Sequence, residues 1–224
     1  RRQRPRLDPR PPIASTVESF RLMTADGVVR RCGRSENAEL FGLALGGYGL
    51  FGVILDAELR TVPNERYAPA AEVVPTRDSV ARFRAAVGPA AGMAVGRLCV
   101  VPGDDTFLRD AILTVWRRAP GGPDGLPPPT APGFAGLRRQ VYRAQIGSNA
   151  GKAARWWAER LAAGRMAGVT FTRNQLLNEP ADVYRGRNAD RTDVRHESFV
   201  PPDGFEPFLA KAREIIPRHG VDLP

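Results

Sequence analysis

The chain has 224 residues, 42% hydrophobic and 25% charged, proportions ordinary for a globular protein with a sizeable core in one or two domains. No run approaches the roughly 20 apolar residues of a membrane span, and no apolar leader stands at the start, so a soluble, cytoplasmic protein without a membrane span is expected. The net charge is +9, and the two cysteines, Cys32 and Cys99, lack the spacing of a disulfide framework or a metal site.

Residues 1–12 hold four prolines and five arginines without periodicity and are expected to be disordered or extended. Ser19 to Cys32 reads as a β-hairpin turning at Asp26-Gly27. Ser35 is placed to cap a helix over 36–45, with Leu40, Phe41, Ala44 and Leu45 on one stripe. Val53, Leu55, Ala57 and Leu59 then alternate with Ile54, Asp56, Glu58 and Arg60, a strand at period two within 52–62. Pro63-Asn64 ends that strand, and a boundary near residues 63–70 divides the chain.

The second region opens with an edge strand, Ala71-Glu72-Val73-Val74, and a helix capped by Thr76 that carries Val80, Phe83 and Val87 in phase and stops at Gly88. Two strands, 93–101 and 111–116, flank the turn at Pro102-Gly103-Asp104-Asp105. The Pro/Gly-rich stretch 119–136 is a long loop, either a lid over a site or a solvated connector. Residues 137–166 read as two helices broken at Gly147-Ser148-Asn149, with Trp156, Trp157 and Leu161 as core anchors. A strand at Val169-Thr170-Phe171 leads to a polar corner, Thr172-Arg173-Asn174-Gln175, and a further strand spans 192–200. The last helix starts with a capping box, Asp203 with Glu206, and carries Phe205, Phe208, Leu209, Ala212, Ile215 and Ile216 on its apolar stripe. His219 suits the C-terminal end of that helix as a cation. The order of elements, with antiparallel hairpins, is that of an α+β protein.

The run Leu45-Gly46-Gly47-Tyr48-Gly49-Leu50-Phe51-Gly52-Val53-Ile54 contains a literal G-x-G-x-x-G. A dinucleotide fingerprint must leave a strand and open a helix, so that the pyrophosphate meets the helix N-terminus. Here a helix precedes the glycines and a strand follows, which excludes that reading. For the glycines by themselves the simpler account is a turn that packs a helix on a strand without any ligand.

On the strand at 192–200, Val194, His196 and Ser198 fall on one side and Asp193, Arg195 and Glu197 on the other. So many polar groups are costly to bury, so one side is wet, paired or lining a pocket. An edge strand with solvated gatekeepers explains this. So does a site in which His196, titrating near neutrality, takes a proton from a substrate.

Two motifs together carry a resemblance. Asn37-Ala38-Glu39-Leu40-Phe41 followed by Gly46 to Ile54 resembles the FAD-linked oxidases of the vanillyl-alcohol oxidase type, whose PCMH-type FAD domain has an N-x-[ED]-L-F helix before G-G-x-G-x-F-G-[IV]-[IV]-T. Leu55 stands where that family usually has threonine. Thr172 to Gln175 and His196-Glu197-Ser198-Phe199-Val200-Pro201 are similar to the family's [ST]-R-N-Q corner and its strand ending [EQ]-x-F-V-P, although an aromatic residue is common where Ser198 sits.

The resemblance implies that residues 13–66 are the C-terminal part of a flavin domain. Residues 67–224 would be a substrate or cap domain, an antiparallel sheet flanked by helices and incomplete at its C-terminus. It further implies that Gly46, Gly47, Gly49, Gly52, Val53 and Ile54 contact FAD. His196, Glu197 and Ser198, with Arg173 and Asn174, would face the substrate, and the N-terminal part of the same flavin domain would be missing. The implied activity is oxidation of an alcohol-type small molecule, of the sugar or polyol kind, by hydride transfer to flavin. The alternative is a basic, non-catalytic domain that binds an acidic partner or nucleic acid. Its arginines are scattered without interleaved aromatic residues, so nucleic acid is not the expected partner.

Overall fold

The computed structural model describes residues 13–121, 126, 135–166, 168–177 and 198–223. The chain divides into two compact units between Pro63 and Asn64. Both combine helices with antiparallel sheets, and the fold class is α+β.

The first unit has three strands, β1 (Val17–Met23), β2 (Val29–Gly33) and β3 (Val53–Leu59), in the order β2-β1-β3, with helix α1 (Ala38–Ala44) between β2 and β3 in sequence. The hairpin turns at Asp26-Gly27, where the Asp26 carboxylate accepts hydrogen bonds from the Val28 N–H and from Arg30. Those bonds hold the Asp26 carboxyl well below the usual carboxylate range, the one from Arg30 contributing most. One face of the sheet buries Val17, Phe20, Leu22 and Cys32 beneath Phe41 of α1. The Phe20 and Phe41 rings stack with centroids 5.1 Å apart. The opposite face is polar: Arg21 pairs with Asp56, and Glu58 accepts from Arg31 and from the Ser19 hydroxyl at 2.8 Å.

Two expectations for this unit are corrected. Ser35 does not cap α1; Asn37 stands at the N-cap in a left-handed conformation, its side-chain amide donating to the Arg31 carbonyl at 2.7 Å. The simple alternation of β3 also fails. Its register against β1 steps from Arg21↔Asp56 to Leu22↔Ile54, so Leu55 is the extra residue of a β-bulge. Ile54 and Ala57 therefore lie opposite Leu22 and Phe20 on the core side. All seven residues of β3 are solvent-exposed, the apolar Val53, Ile54, Leu55 and Leu59 among them.

The second unit is built on a four-stranded sheet of order β5-β6-β4-β7. The strands are β4 (Arg66–Pro75), β5 (Ala91–Leu98), β6 (Asp110–Arg118) and β7 (Phe171–Thr172). Helices α2 (Thr76–Ala86) and α4 (Asn149–Ala163) account for the near-continuous apolar run of β6. Ala111, Leu113 and Val115 cluster with Phe83 and Ala86 of α2, whereas Ile112 clusters with Trp156 and Ala163 of α4. The strand is central and covered on both faces, so the period-two rule places one apolar set under each helix. Helix α3 (Ala135–Gln145) turns into α4 at Gly147-Ser148, and the Ser148 hydroxyl accepts from the Gly151 N–H at 3.0 Å as the α4 cap. A short helix α5 (Arg173–Leu177) follows β7, and α6 (Phe205–Arg218) closes the described chain.

Several local expectations yield here to tertiary contacts. The strand through Ala71 to Val74 is not at an edge: β4 spans ten residues between β6 and β7. Thr76 is not the cap of α2, because Pro75 holds that position. The Thr76 hydroxyl is buried and pairs with the Leu108 carbonyl and the Glu206 carboxylate at 3.0 Å. Glu206 is drawn away accordingly, so no capping box forms with Asp203, and Gly204 takes the α6 N-cap. Trp156 is buried as expected, but Trp157, Leu161, Phe208 and Ile215 are exposed and anchor no core. The strand expected at 169–171 is only Phe171–Thr172, and Ser198, Phe199 and Val200 carry no strand. Residues 1–12 and most of the loop at 119–136 lie outside the described residues.

Candidate functional site

The glycine loop starts where α1 ends. The Leu45 N–H donates to the Phe41 carbonyl, and Gly46 follows with φ +78. The next four residues close a turn, with the Leu50 N–H donating to the Gly47 carbonyl at 3.0 Å and both central residues, Tyr48 and Gly49, at positive φ. That sign pattern is the one found in type I′ turns, where glycine is favoured at the second central position. Gly52 then brings the chain against β1. At φ +138, a β-carbon there would stand 2.4 Å from the Met23 carbonyl oxygen. A β-carbon on Gly47 would stand 2.2 Å from the Leu43 carbonyl oxygen. The fold itself thus calls for glycine at these positions.

The loop and the start of β3 line a half-open cavity of about 350 Å³, walled by Ala44, Gly47, Gly49, Phe51, Gly52, Val53 and Ile54. Five of the six residues expected on the cofactor side are brought together here; Gly46 is not among the lining residues and serves to terminate α1. The wall is glycine backbone and apolar side chain, without a cationic group. Such a wall fits the flat face of a ring system, and to an anion it offers backbone N–H groups but no cationic side chain. Tyr48 and Leu50, at the apex of the loop, are 99% and 82% exposed. The sequence gives no warning of this, because an apolar residue in a turn is as easily buried as not.

The polar corner of the second unit is a helix start. The Gln175 N–H donates to the Thr172 hydroxyl at 3.2 Å, and the Gln175 side-chain oxygen accepts from the Thr172 N–H at 2.9 Å, a reciprocal capping box for α5. Arg173 is buried. Its backbone N–H donates to the Glu65 carbonyl, its guanidinium donates to the Glu65 carboxylate at 2.6 Å and to the Tyr67 hydroxyl, and it lies 5.6 Å from the centre of the Tyr67 ring. Glu65 also accepts from the Tyr67 hydroxyl at 2.6 Å and from Arg118. The Tyr67 bond, then Arg118 and Arg173, hold the Glu65 carboxyl below its ordinary value against the opposing effect of burial. Asn174 is half-buried, with its backbone N–H donating to the Asn64 side chain at 3.1 Å.

Glu65, just before β4, and Tyr67, on it, fix this corner, and the sequence does not single them out. An acid two residues before a tyrosine at a strand start carries no signal until Arg173, more than a hundred residues on, is packed beside them. Of the remaining expected residues, Ser198 is exposed, and His196 and Glu197 lie outside the described residues. The glycine cavity belongs to the first unit and the Arg173 corner to the second. The chain matches no protein-family model and no curated protein. Among the described residues no helix is long and apolar enough to cross a membrane.

Proposed function

We propose that the chain is part of a flavin-dependent oxidoreductase that oxidises an alcohol-type substrate, and that its glycine loop receives a ring of FAD. The observation that carries this reading is the apolar cavity formed by Gly47, Gly49, Phe51, Gly52, Val53 and Ile54 at the end of the Asn37-x-Glu39-Leu40-Phe41 helix. Its chemistry suits a planar aromatic group held through backbone and aliphatic contacts. Its wall carries no cationic side chain, and in this reading the pyrophosphate is held by the preceding part of the flavin domain. The exposed apolar residues of β3, Val53, Ile54, Leu55 and Leu59, are consistent with a further segment packing there.

FAD, when bound, supplies the hydride acceptor. The residues of this chain do the rest. His196 is assigned to take the proton from the substrate hydroxyl, with Glu197 and Ser198 as further substrate-side residues. Arg173, committed to Glu65 and Tyr67, positions the corner rather than touching substrate, and leaves Asn174 as its polar contact. In the basic-domain reading Arg21, Arg31, Arg97, Arg118, Arg155, Arg173 and Arg213 are already paired with carboxylates of the chain itself, so an acidic partner would meet the other arginines.

The test is to express the reading frame together with the residues that precede this chain and to record its absorbance spectrum. Flavin bands in the purified product are expected. A colourless product that binds nucleic acid with a steep salt dependence overturns the proposal in favour of the basic domain.

A further inference from the structure

Among 33 basic residues only two are lysines, and they are used in opposite ways. Lys211 is exposed on α6 and pairs with Glu214. The Lys152 side chain, in the first turn of α4, is only 1% exposed. An ammonium taken out of water is costly unless an anion meets it. That anion is the Asp222 carboxylate, contributed by the segment after α6. One oxygen accepts from the Lys152 ammonium and the other accepts from the Gly147 N–H at 2.7 Å.

The surroundings of this carboxylate are built for negative charge. It lies beside the start of α4, a fifteen-residue helix whose dipole favours an anion there, and its backbone donor, Gly147, immediately precedes the Ser148 cap. The turn from α3 is tight: a β-carbon on Gly151 would stand 2.2 Å from the Ala144 carbonyl oxygen, so the end of α3 lies directly on the first turn of α4. In the same junction Gln145 is fully buried, and neither its side-chain nitrogen nor its oxygen has a hydrogen-bond partner among the described residues. A buried cation, a backbone donor, a helix N-terminus and an unpaired buried amide are thus gathered in one short stretch. The Asp222 side chain is 39% exposed, so the carboxylate stands at the mouth of the junction with the ammonium behind it.

We propose that the α3–α4 junction is a binding site for a small oxyanion, phosphate or carboxylate, and that Asp222 fills it from within the chain. When the segment after α6 moves away, an external oxyanion takes its place on Lys152 and Gly147. The site lies apart from the glycine loop and does not depend on the flavin reading.

The two lysines make the test direct. The whole chain is treated with an amine-acetylating reagent, and modification of Lys152 is read by mass spectrometry with Lys211 as the internal reference. In the wild-type protein Lys152 reacts at least about tenfold more slowly than Lys211, because reaction requires local opening. In Asp222→Ala, with its circular dichroism unchanged, Lys152 reacts at a rate nearer that of Lys211. Inorganic phosphate at about ten times its Kd then restores roughly tenfold protection relative to chloride at equal ionic strength. Acetate in a parallel series tells whether carboxylates are also taken. Asp222→Asn, which keeps the size of the side chain, serves if the alanine variant does not fold, and the same protection by phosphate is expected. The proposal is overturned if Lys152 stays protected in a folded variant without added oxyanion. It is equally overturned if neither phosphate nor acetate protects better than chloride.

Discussion

Replacing Gly52 by alanine separates what the fold requires of the glycine loop from what a ligand would. A methyl group at this position would stand 2.4 Å from the Met23 carbonyl oxygen, 3.1 Å from the Met23 carbonyl carbon and 3.2 Å from Leu22 Cγ. These atoms cannot simply move aside, since Leu22 and Met23 pair with Ile54 and Val53 in the β1–β3 ladder. Overpacking against a fixed neighbour costs about 1–3 kcal/mol, and alanine at φ +138 adds backbone strain of about 1–3 kcal/mol. The sum, roughly 2–6 kcal/mol, is a large part of the whole stability of a small unit, about 5–15 kcal/mol. Gly49→Ala is the control. Its β-carbon would meet nothing within 4 Å, so only the strain of positive φ remains, about 1–2 kcal/mol. Urea unfolding followed by circular dichroism, with amide exchange at Leu22 and Met23 reporting the first unit, should rank the losses Gly52→Ala above Gly49→Ala. Equal losses, or a Gly52→Ala variant as stable as the parent, would refute the reasoning. Flavin retention is accordingly better probed at Gly49 than at Gly52, where loss of the fold would mask loss of the ligand.

Phe41→Ala removes the ring that stacks on Phe20 and should cost the first unit about 3–5 kcal/mol in denaturant unfolding. Thr172→Ala breaks the reciprocal cap of α5 and should cost about 0.5–2 kcal/mol, seen as faster amide exchange at Gln175. The Glu65 carboxyl is held below its ordinary value, so its contribution to stability is complete above the unfolded carboxylate pKa of about 4.3 and fades as the pH falls through the lower folded value. Glu65→Gln should therefore flatten the acid limb of the stability curve of the second unit, and an unchanged limb would show that the Arg173–Tyr67–Glu65 cluster does not couple to folding.

Features that depend on neighbours in sequence were legible in the chain itself. The Asp26-Gly27 turn is one, and the break between α3 and α4, where Ser148 caps the second helix, is another. Features decided across the fold were not. The bulge at Leu55 inserts a residue that periodicity cannot see, and so shifts which side chains face the core. Thr76 and Glu206 look like local caps but bond to one another across 130 residues, because a buried hydroxyl finds a better partner there than at its own helix end. Trp157 follows Trp156 directly on α4, so only one of the two can face the sheet. At the candidate site, the glycine spacing was visible, but its reason lies in the Met23 and Leu43 carbonyls that leave no room for a side chain. The buried setting of Arg173 needed Glu65 and Tyr67, which the start of β4 and the residue before it bring beside it.

The most direct test of the flavin reading is a titration of the ¹⁵N-labelled chain with FAD, followed by amide chemical shifts. The account predicts saturable changes confined to Gly47, Gly49, Phe51, Gly52, Val53 and Ile54, with a Kd weaker than about 1 μM, the equivalent of roughly 8.2 kcal/mol, because the wall offers the phosphates no cationic side chain. No change at these amides at millimolar FAD, or changes spread over the arginine-bearing surface and reproduced by pyrophosphate alone, would contradict it.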